Sequence, residues 1–222
     1  MKLKEYFAQL KVDLEPMTFP EKIDHIWTYN KELILIVVGF SILIIGLLVA
    51  FLQKPDVVFC GFVINAELSE EGTNYLTTDY GKVIGVKGKE EAQLITGIYN
   101  LKVSSAAAYN DATMQQISAY CYDASLDYIL GDQVVLEALT GADIYVNLQE
   151  FFSEDEYAQL QGKFLTTKLE DGTEIAYAVN ISDTKFAKDC VTNNTELYLS
   201  FINNTKHMDR CHEFWNYILN WN

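Results

Sequence analysis

The sequence predicts a mixed-sheet α/β domain joined to one transmembrane helix near its N-terminus. Three observations predict it. Residues 33–52, LILIVVGFSILIIGLLVAFL, contain no charged side chain. Beyond them, apolar runs of strand length alternate with helix-period segments. Finally, Glu170-Asp171-Gly172 separates two short runs in the manner of a hairpin turn.

Residues 2–14 place Leu3, Tyr6, Phe7, Leu10 and Leu14 on one helical face, with Lys2, Lys4, Glu5 and Lys11 off it. That stripe suits a helix lying on the inner membrane surface or docked on a partner, and equally a frayed tail. Glu15-Pro16 ends it. Thr18-x-x-Glu21 has capping-box spacing, with Pro20 in the first turn where a missing N–H costs little. One helix from about Phe19 to Leu52 is expected, with Trp27 and Tyr29 as an interfacial belt and Pro55 as its stop.

At about 1.5 Å per residue, the span 33–52 is about 30 Å long, the thickness of a bilayer's hydrocarbon core. A helix buried in a soluble core is rarely apolar all round for five turns. A cleaved signal peptide has a shorter apolar run and a small-residue cleavage site, and no A-x-A pattern follows this one. The expectation is an uncleaved signal anchor. It divides the chain into an amphipathic tail and helix start over 1–32, the span over 33–52 and an extracytoplasmic domain over 54–222.

Orientation rests on lysines. The first 32 residues contain five, and no basic side chain follows Lys54 until Lys82, which places the N-terminus in the cytoplasm of a single-pass cell-membrane protein. Charge is uneven. The first 32 residues carry five basic and six acidic side chains, a net of −1, so the remainder of a −15 chain carries −14. A domain so acidic repels nucleic acid and an anionic lipid surface.

Within that domain, 57–66 (VVFCGFVINA) reads as a strand buried on both faces. Residues 67–81 read as a short helix or irregular segment, Lys87-Gly88-Lys89 as a turn, and 94–103 as a strand or strand-helix mixture. Thr113–Tyr122 is helical. Leu126–Leu130 is a short strand, and Gly131-Asp132 turns it into a helix over 133–139. Ser153 caps a helix whose first turn is Glu-Asp-Glu. Residues 164–168 and 174–179 flank the hairpin turn, 196–203 is a strand, and 208–221 is a last helix carrying Phe214, Trp215, Ile218 and Leu219.

The segment LDYILGDQVVLEALTGADIYVNLQEFFSEDEYAQLQGKF (126–164), then AYAVNISDT (176–184) and LYLSFINNTKHMDRCHEFWNYIL (197–219), resembles parts of extracytoplasmic solute-binding proteins of the type 2 periplasmic-binding-protein fold. The stretch FPEKIDHIWTYNKELILIVVGFSILI (19–44) is similar to the start of small single-pass Firmicutes proteins that carry such a domain. The resemblance spans about residues 17–222 and implies a single or reduced lobe, since a complete two-lobed member is longer than the part of this chain beyond the span. It carries over no ligand residues.

Candidate sites are sparse. Asp132, after the Leu126–Leu130 strand, stands where open α/β sheets gather ligand contacts, and it equally suits a helix cap. Tyr128 and Tyr145 are candidate ligand or interface aromatics beside it; Tyr128 belongs to a set of seven tyrosines (75, 80, 99, 109, 120, 122 and 128) whose rings could stack on a ligand or pack in the core. His207, Cys211 and His212 form a candidate metal set, His207 and Cys211 being one helical turn apart. Cys190 with Cys211 is a candidate disulfide, and free buried thiols are the alternative. Asn180, Asn193 and Asn203 begin N-x-S/T sequons. No nucleophile elbow, Walker loop, H-E-x-x-H or G-x-G-x-x-G motif occurs. The expectation is a non-enzymatic binding or accessory module without a cofactor. It would capture a small solute or associate with a transporter-like membrane complex, and it would not bind nucleic acid. The alternative is a structural subunit of a membrane assembly with no small-molecule ligand.

Overall fold

The computed structural model of the chain describes residues 3–99, 107–169, 172–193 and 195–221, with the side chains of all of these except 3, 4, 6, 7 and 107–110. The side chains of Leu3, Tyr6, Phe7 and Tyr109 lie outside what is described, as do Glu170-Asp171 and the part of the expected strand beyond Tyr99. The chain forms two compact units, Met1–Lys54 and Pro55–Asn222.

The first unit holds α1 (Leu3–Leu14) and α2 (Phe19–Gln53). The Glu21 carboxylate accepts from the Thr18 N–H and from its hydroxyl, each at 2.7 Å, so the capping box forms where its spacing predicts. None of the 35 residues of α2 is buried, and Ser41 turns its hydroxyl back onto the Val37 carbonyl at 2.8 Å. Among the described residues, α2 is the one helix long and apolar enough to cross a membrane.

The second unit is a six-stranded mixed sheet in the order β2-β1-β3-β6-β5-β4. Its strands are β1 (Asp56–Ile64), β2 (Glu90–Gly97), β3 (Tyr128–Gly131), β4 (Phe164–Lys168), β5 (Glu174–Asn180) and β6 (Tyr198–Phe201). β1 runs parallel to β2 and β3, while β6 is antiparallel to both β3 and β5, and β5 to β4. The apolar run after Pro55 becomes β1, buried on both faces as expected: Phe59 and Val63 face one core, and Cys60, Phe62 and Ile64 the other.

Helices cover both faces. The connection from β1 to β2 is one helical stretch, α3 (Glu70–Asn74), a π turn over Tyr75–Asp79 and α4 (Tyr80–Val83), which seats Leu76 and Tyr80 against Phe59. On the same side lie α9 (Lys185–Cys190) and α10 (Met208–Leu219), the latter burying Cys211, Phe214, Trp215 and Ile218. The connection from β2 to β3 crosses the other face through α5 (Ala107–Tyr122), whose Ile117 and Cys121 join Phe62, and α6 (Gln133–Ala138) packs there through Val135 and Leu136. Three further short helical pieces, a 3₁₀ turn at Thr140–Ala142, α7 (Leu148–Phe151) and α8 (Glu154–Gln159), fill the chain before β4.

Sequence and structure differ most at element ends. β2 begins four residues before the expected strand, because its pairing with β1 starts at Asp56–Glu90 and draws the exposed Glu90 and the half-buried Glu91 into the ladder. α9 has no expected counterpart, being a single capped turn and a half whose apolar residues Phe186, Ala187 and Cys190 are too few to show a period.

Tyr128 and Gly61 are matched. A Cβ on Gly61 would lie 2.0 Å from the Tyr128 ring, so the ring occupies the space a side chain would need. Tyr128 stacks on Phe214 at 4.2 Å, and its hydroxyl is fully buried without a hydrogen-bond partner among the described residues. A hydroxyl buried without a partner costs about 1–3 kcal/mol. Tyr128→Phe is therefore expected to stabilise the domain by about 1 kcal/mol, raising its thermal midpoint by about 2–4 °C. Calorimetry showing a lower midpoint would mean that the hydroxyl has a partner.

Candidate functional site

The order β2-β1-β3 creates a crevice. From β1 the chain leaves over one face of the sheet to β2, then returns over the opposite face, past β1, to β3. The chain leaving β1 goes to β2 on one side, and the chain leaving β3 goes to the β6-β5-β4 side, so the two diverge at the carboxyl ends of β1 and β3. Such switch points are where open α/β sheets bind ligands. A groove of about 1340 Å³ lies there, bounded by the ends of all three parallel strands, by Thr113 and Gln116 of α5, by Val134 and Glu137 of α6, and by Thr192 and Asn193.

Asn65 organises it. Directly after β1, its backbone is left-handed at φ 60°, a conformation that asparagine tolerates better than most side chains. Its side-chain oxygen accepts the Tyr99 N–H at 2.7 Å, and its amide nitrogen donates to the Tyr99 carbonyl at 2.6 Å and to Asp132 Oδ2 at 3.0 Å. Its carbonyl accepts from Asn193 Nδ2 at 2.8 Å and Thr195 Oγ1 at 3.2 Å. One residue thus ties the segments after β1, β2 and β3 to the loop that leads into β6.

Asp132 stands in this groove and also caps α6, its Oδ1 accepting the Val135 N–H at 3.0 Å. The cap expected of it is formed, and its other oxygen is held by Asn65 at the edge of the groove. Gly131 makes this geometry reachable, since a Cβ there would meet Val135 at 2.8 Å and the Ile64 carbonyl at 3.2 Å.

The other expected site residues lie elsewhere. Tyr128 and Tyr145 are core residues, 0% and 5% exposed, and the Tyr145 hydroxyl donates to the Leu136 carbonyl. Neither lines the groove, because both fall on strand-like segments whose alternation turns them inward. Of the seven tyrosines, Tyr99 borders the groove, while Tyr80 is buried and Tyr122 fully solvated.

The metal set does not assemble. His212 stacks flat on Phe151 at 4.0 Å, Cys211 is buried, and His207 pairs with Asp127. Among the described residues no three His, Cys, Asp or Glu side chains gather to hold a metal ion. Sequence spacing put His207 and Cys211 on one helical face correctly, but the partner on that face is the buried Asp127. Its Oδ1 lies 3.0 Å from His207 Nδ1, its Oδ2 accepts the Cys60 N–H at 2.6 Å, and the Thr205 hydroxyl also donates to it. The Cys211 thiol faces the Asp127 carbonyl at 3.8 Å.

The Cys190–Cys211 bridge is not formed, and all four cysteines are free and buried. Cys190 packs on Gly72 of α3, a neighbour that leaves no room for even a Cβ, whereas Cys211 turns toward β3. Burial pushes the Cys60 thiol up to about 12, with the Asp127 charge adding to it, and pushes Cys121 up to about 11; Cys190 and Cys211 are raised by the same cause. At pH 8 all four are expected to stay protonated and unreactive toward a maleimide in the native chain. Denaturation without reductant should expose four thiols per chain, and a count of two would restore the disulfide.

Comparison of the chain with protein families, with curated proteins and with solved structures found no match.

Proposed function

We propose that the chain is a membrane-anchored, non-enzymatic binding module that captures a small solute in the groove at the carboxyl ends of β1, β2 and β3. The observation that carries this reading is Asn65, whose left-handed backbone and five side-chain and main-chain bonds hold the groove in one shape before any ligand arrives. Pre-set polar geometry of this kind lowers the ordering cost of binding. α2 is the anchor, with the N-terminal tail in the cytoplasm and Pro55–Asn222 outside, acting beside a transporter-like complex. A single or reduced lobe of the type 2 periplasmic-binding-protein fold is the architecture that goes with this reading.

The full chain in phosphatidylcholine nanodiscs, heated with amino acids, saccharides, short peptides and amines, should unfold at a higher temperature with at least one of them. Asn65→Gly should abolish that shift. A flat response across the panel removes solute capture. Protease added to intact cells should digest the domain and spare the tail, and a protected domain would reverse the orientation.

The length of α2 favours a second reading, as a structural subunit. Its 35 residues make about 52 Å of helix, against the about 30 Å that a bilayer core requires. The surplus is a surface for other membrane proteins, and a mild-detergent pulldown that returned this chain alone would count against it.

A further inference from the structure

We infer that the solute is a short peptide of neutral and apolar residues, held in extended form along the free edge of β2 as a seventh strand. This deepens the solute-capture reading and rests on it. The backbone of β2 carries the argument. The Lys89 carbonyl accepts the Asp56 N–H at 2.9 Å, and the Gly97 carbonyl accepts the Asn65 N–H at 3.2 Å. Odd-numbered residues of β2 thus turn their main-chain groups toward β1. The register shift in this ladder falls between Val57 and Phe59, on the β1 side, so β2 keeps its alternation throughout. Ala92, Leu94 and Thr96 therefore aim their N–H and C=O groups away from β1, at the end of the sheet. No strand among the described residues pairs with them there.

The groove follows this edge. It reaches back along β2 to Leu94 and Thr96, whereas it touches β1 only from Val63 onward and β3 only beyond Gly131. Thr73 of α3 bounds it on one face of the sheet, and Gln116 of α5 on the other. A strand added there is covered on both faces, as strands of a parallel sheet ordinarily are. Because α3 and α5 bound it from both sides, the edge is a slot for one strand rather than a face for a second layered domain. Sheet edges left open to solvent are ordinarily blunted by charge, proline or brevity. The opposite edge, β4, is five residues long, follows Lys163 and ends at Lys168. β2 has eight residues, and from Ala92 to Tyr99 the chain (AQLITGIY) contains neither a charge nor a proline. Main-chain pairing supplies affinity, and the side chains alongside supply preference. Ile98 and Val134, 64% and 43% exposed in the groove lining, favour apolar partners. The unit Pro55–Asn222, with 25 acidic and 10 basic residues, disfavours acidic ones.

The test uses the full chain in nanodiscs of zwitterionic lipid, with thermal unfolding as the readout. The probe is a pool of capped pentapeptides built from Gly, Ala, Val, Leu, Ser and Thr. At saturation the pool should raise the midpoint by about 3 °C. The same pool N-methylated at its third and fourth residues has a methyl on each edge of the extended chain, so it cannot pair in either register and should give no shift. Thr96→Pro removes one outward N–H without touching the ladder to β1. It should leave the midpoint of the unliganded chain within about 2 °C of wild type and abolish the shift. If that variant does not fold, the methylated pool decides alone. Equal shifts with both pools, or a shift that survives Thr96→Pro undiminished, overturn the inference. So does a dimer in mild detergent that Thr96→Pro separates, which would give the edge to a second copy of the chain. If neither pool acts but another solute gives a shift that Asn65→Gly abolishes, the peptide inference fails while solute capture stands. If no solute acts, both fail.

Discussion

Asp127→Ala is expected to cost about 3 kcal/mol of domain stability and to lower the thermal midpoint by about 10 °C, the largest effect of any single truncation considered. Asp127 is 1% exposed and sits just before β3, where its carboxylate takes bonds from the Cys60 N–H in β1, from Thr205, and from His207 at the start of α10. Removing it leaves three polar groups without their acceptor, the fully buried Cys60 N–H among them, and a void as well. His207→Ala removes one partner only, and the His207 side chain is 28% exposed, so water can take over part of its role. The expected loss there is about 1 kcal/mol. Chemical unfolding of both variants checks the difference: equal losses would show that the histidine, not the carboxylate, holds the junction together.

Substitution of Asn65 should have the second-largest effect, and its form separates backbone from side chain. Alanine keeps the left-handed strain, about 1 kcal/mol for a residue with a Cβ, and loses the bonds to Tyr99 and Asp132. Glycine loses the same bonds without the strain. The expected order of stability is wild type, then Asn65→Gly, then Asn65→Ala, with solute binding lost in both. Asn65→Asp is the sharpest case, because it is nearly isosteric and sets a carboxylate against Asp132 Oδ2, now 3.0 Å from the amide nitrogen. Two carboxylates so close cannot both ionise freely, so one keeps its proton above the usual range near 4. A folded-state pKa that is raised gives stability below the unfolded value that is lost as pH rises. The variant should therefore approach the wild type near pH 4 and fall behind it at pH 7. Indifference to pH across that window would mean that the two side chains separate.

The parts of this fold that were legible in the sequence are those whose signal is local. α2 announces itself through composition and the Thr18–Glu21 cap, and β1 through an unbroken apolar run. The helix starting at Glu154 follows from Ser153, which accepts the Glu156 N–H at 3.3 Å while the Glu156 carboxylate returns to the Ser153 N–H at 3.0 Å. The capping role of Asp132 was also legible, since a Gly-Asp pair after a strand is a local signal for a helix start. Asn65 was not. An asparagine after a strand looks like any turn residue, and its importance depends on Tyr99, Asp132 and Asn193 arriving from far along the chain. Asp127 was hidden for the same reason, lying between Leu126 and Tyr128 with partners 67 to 80 residues away. The cysteine and histidine readings went astray because helical spacing shows which residues share a face but not what that face meets.

Order along the chain and order across the sheet diverge at one place with a bearing on biosynthesis. β6, the last in chain order of the described strands, lies between β3 and β5, in the middle of the sheet. While the polypeptide emerges residue by residue, β1, β2 and β3 can pair with one another, and β4 can pair with β5. These two half-sheets share no ladder until Tyr198–Phe201 is delivered. Through most of its synthesis the nascent domain therefore has open strand edges on both halves, the condition under which chains associate wrongly. Its maturation is timed by the arrival of Tyr198–Phe201, and a chaperone that shields β3 and β5 during that interval would raise its yield.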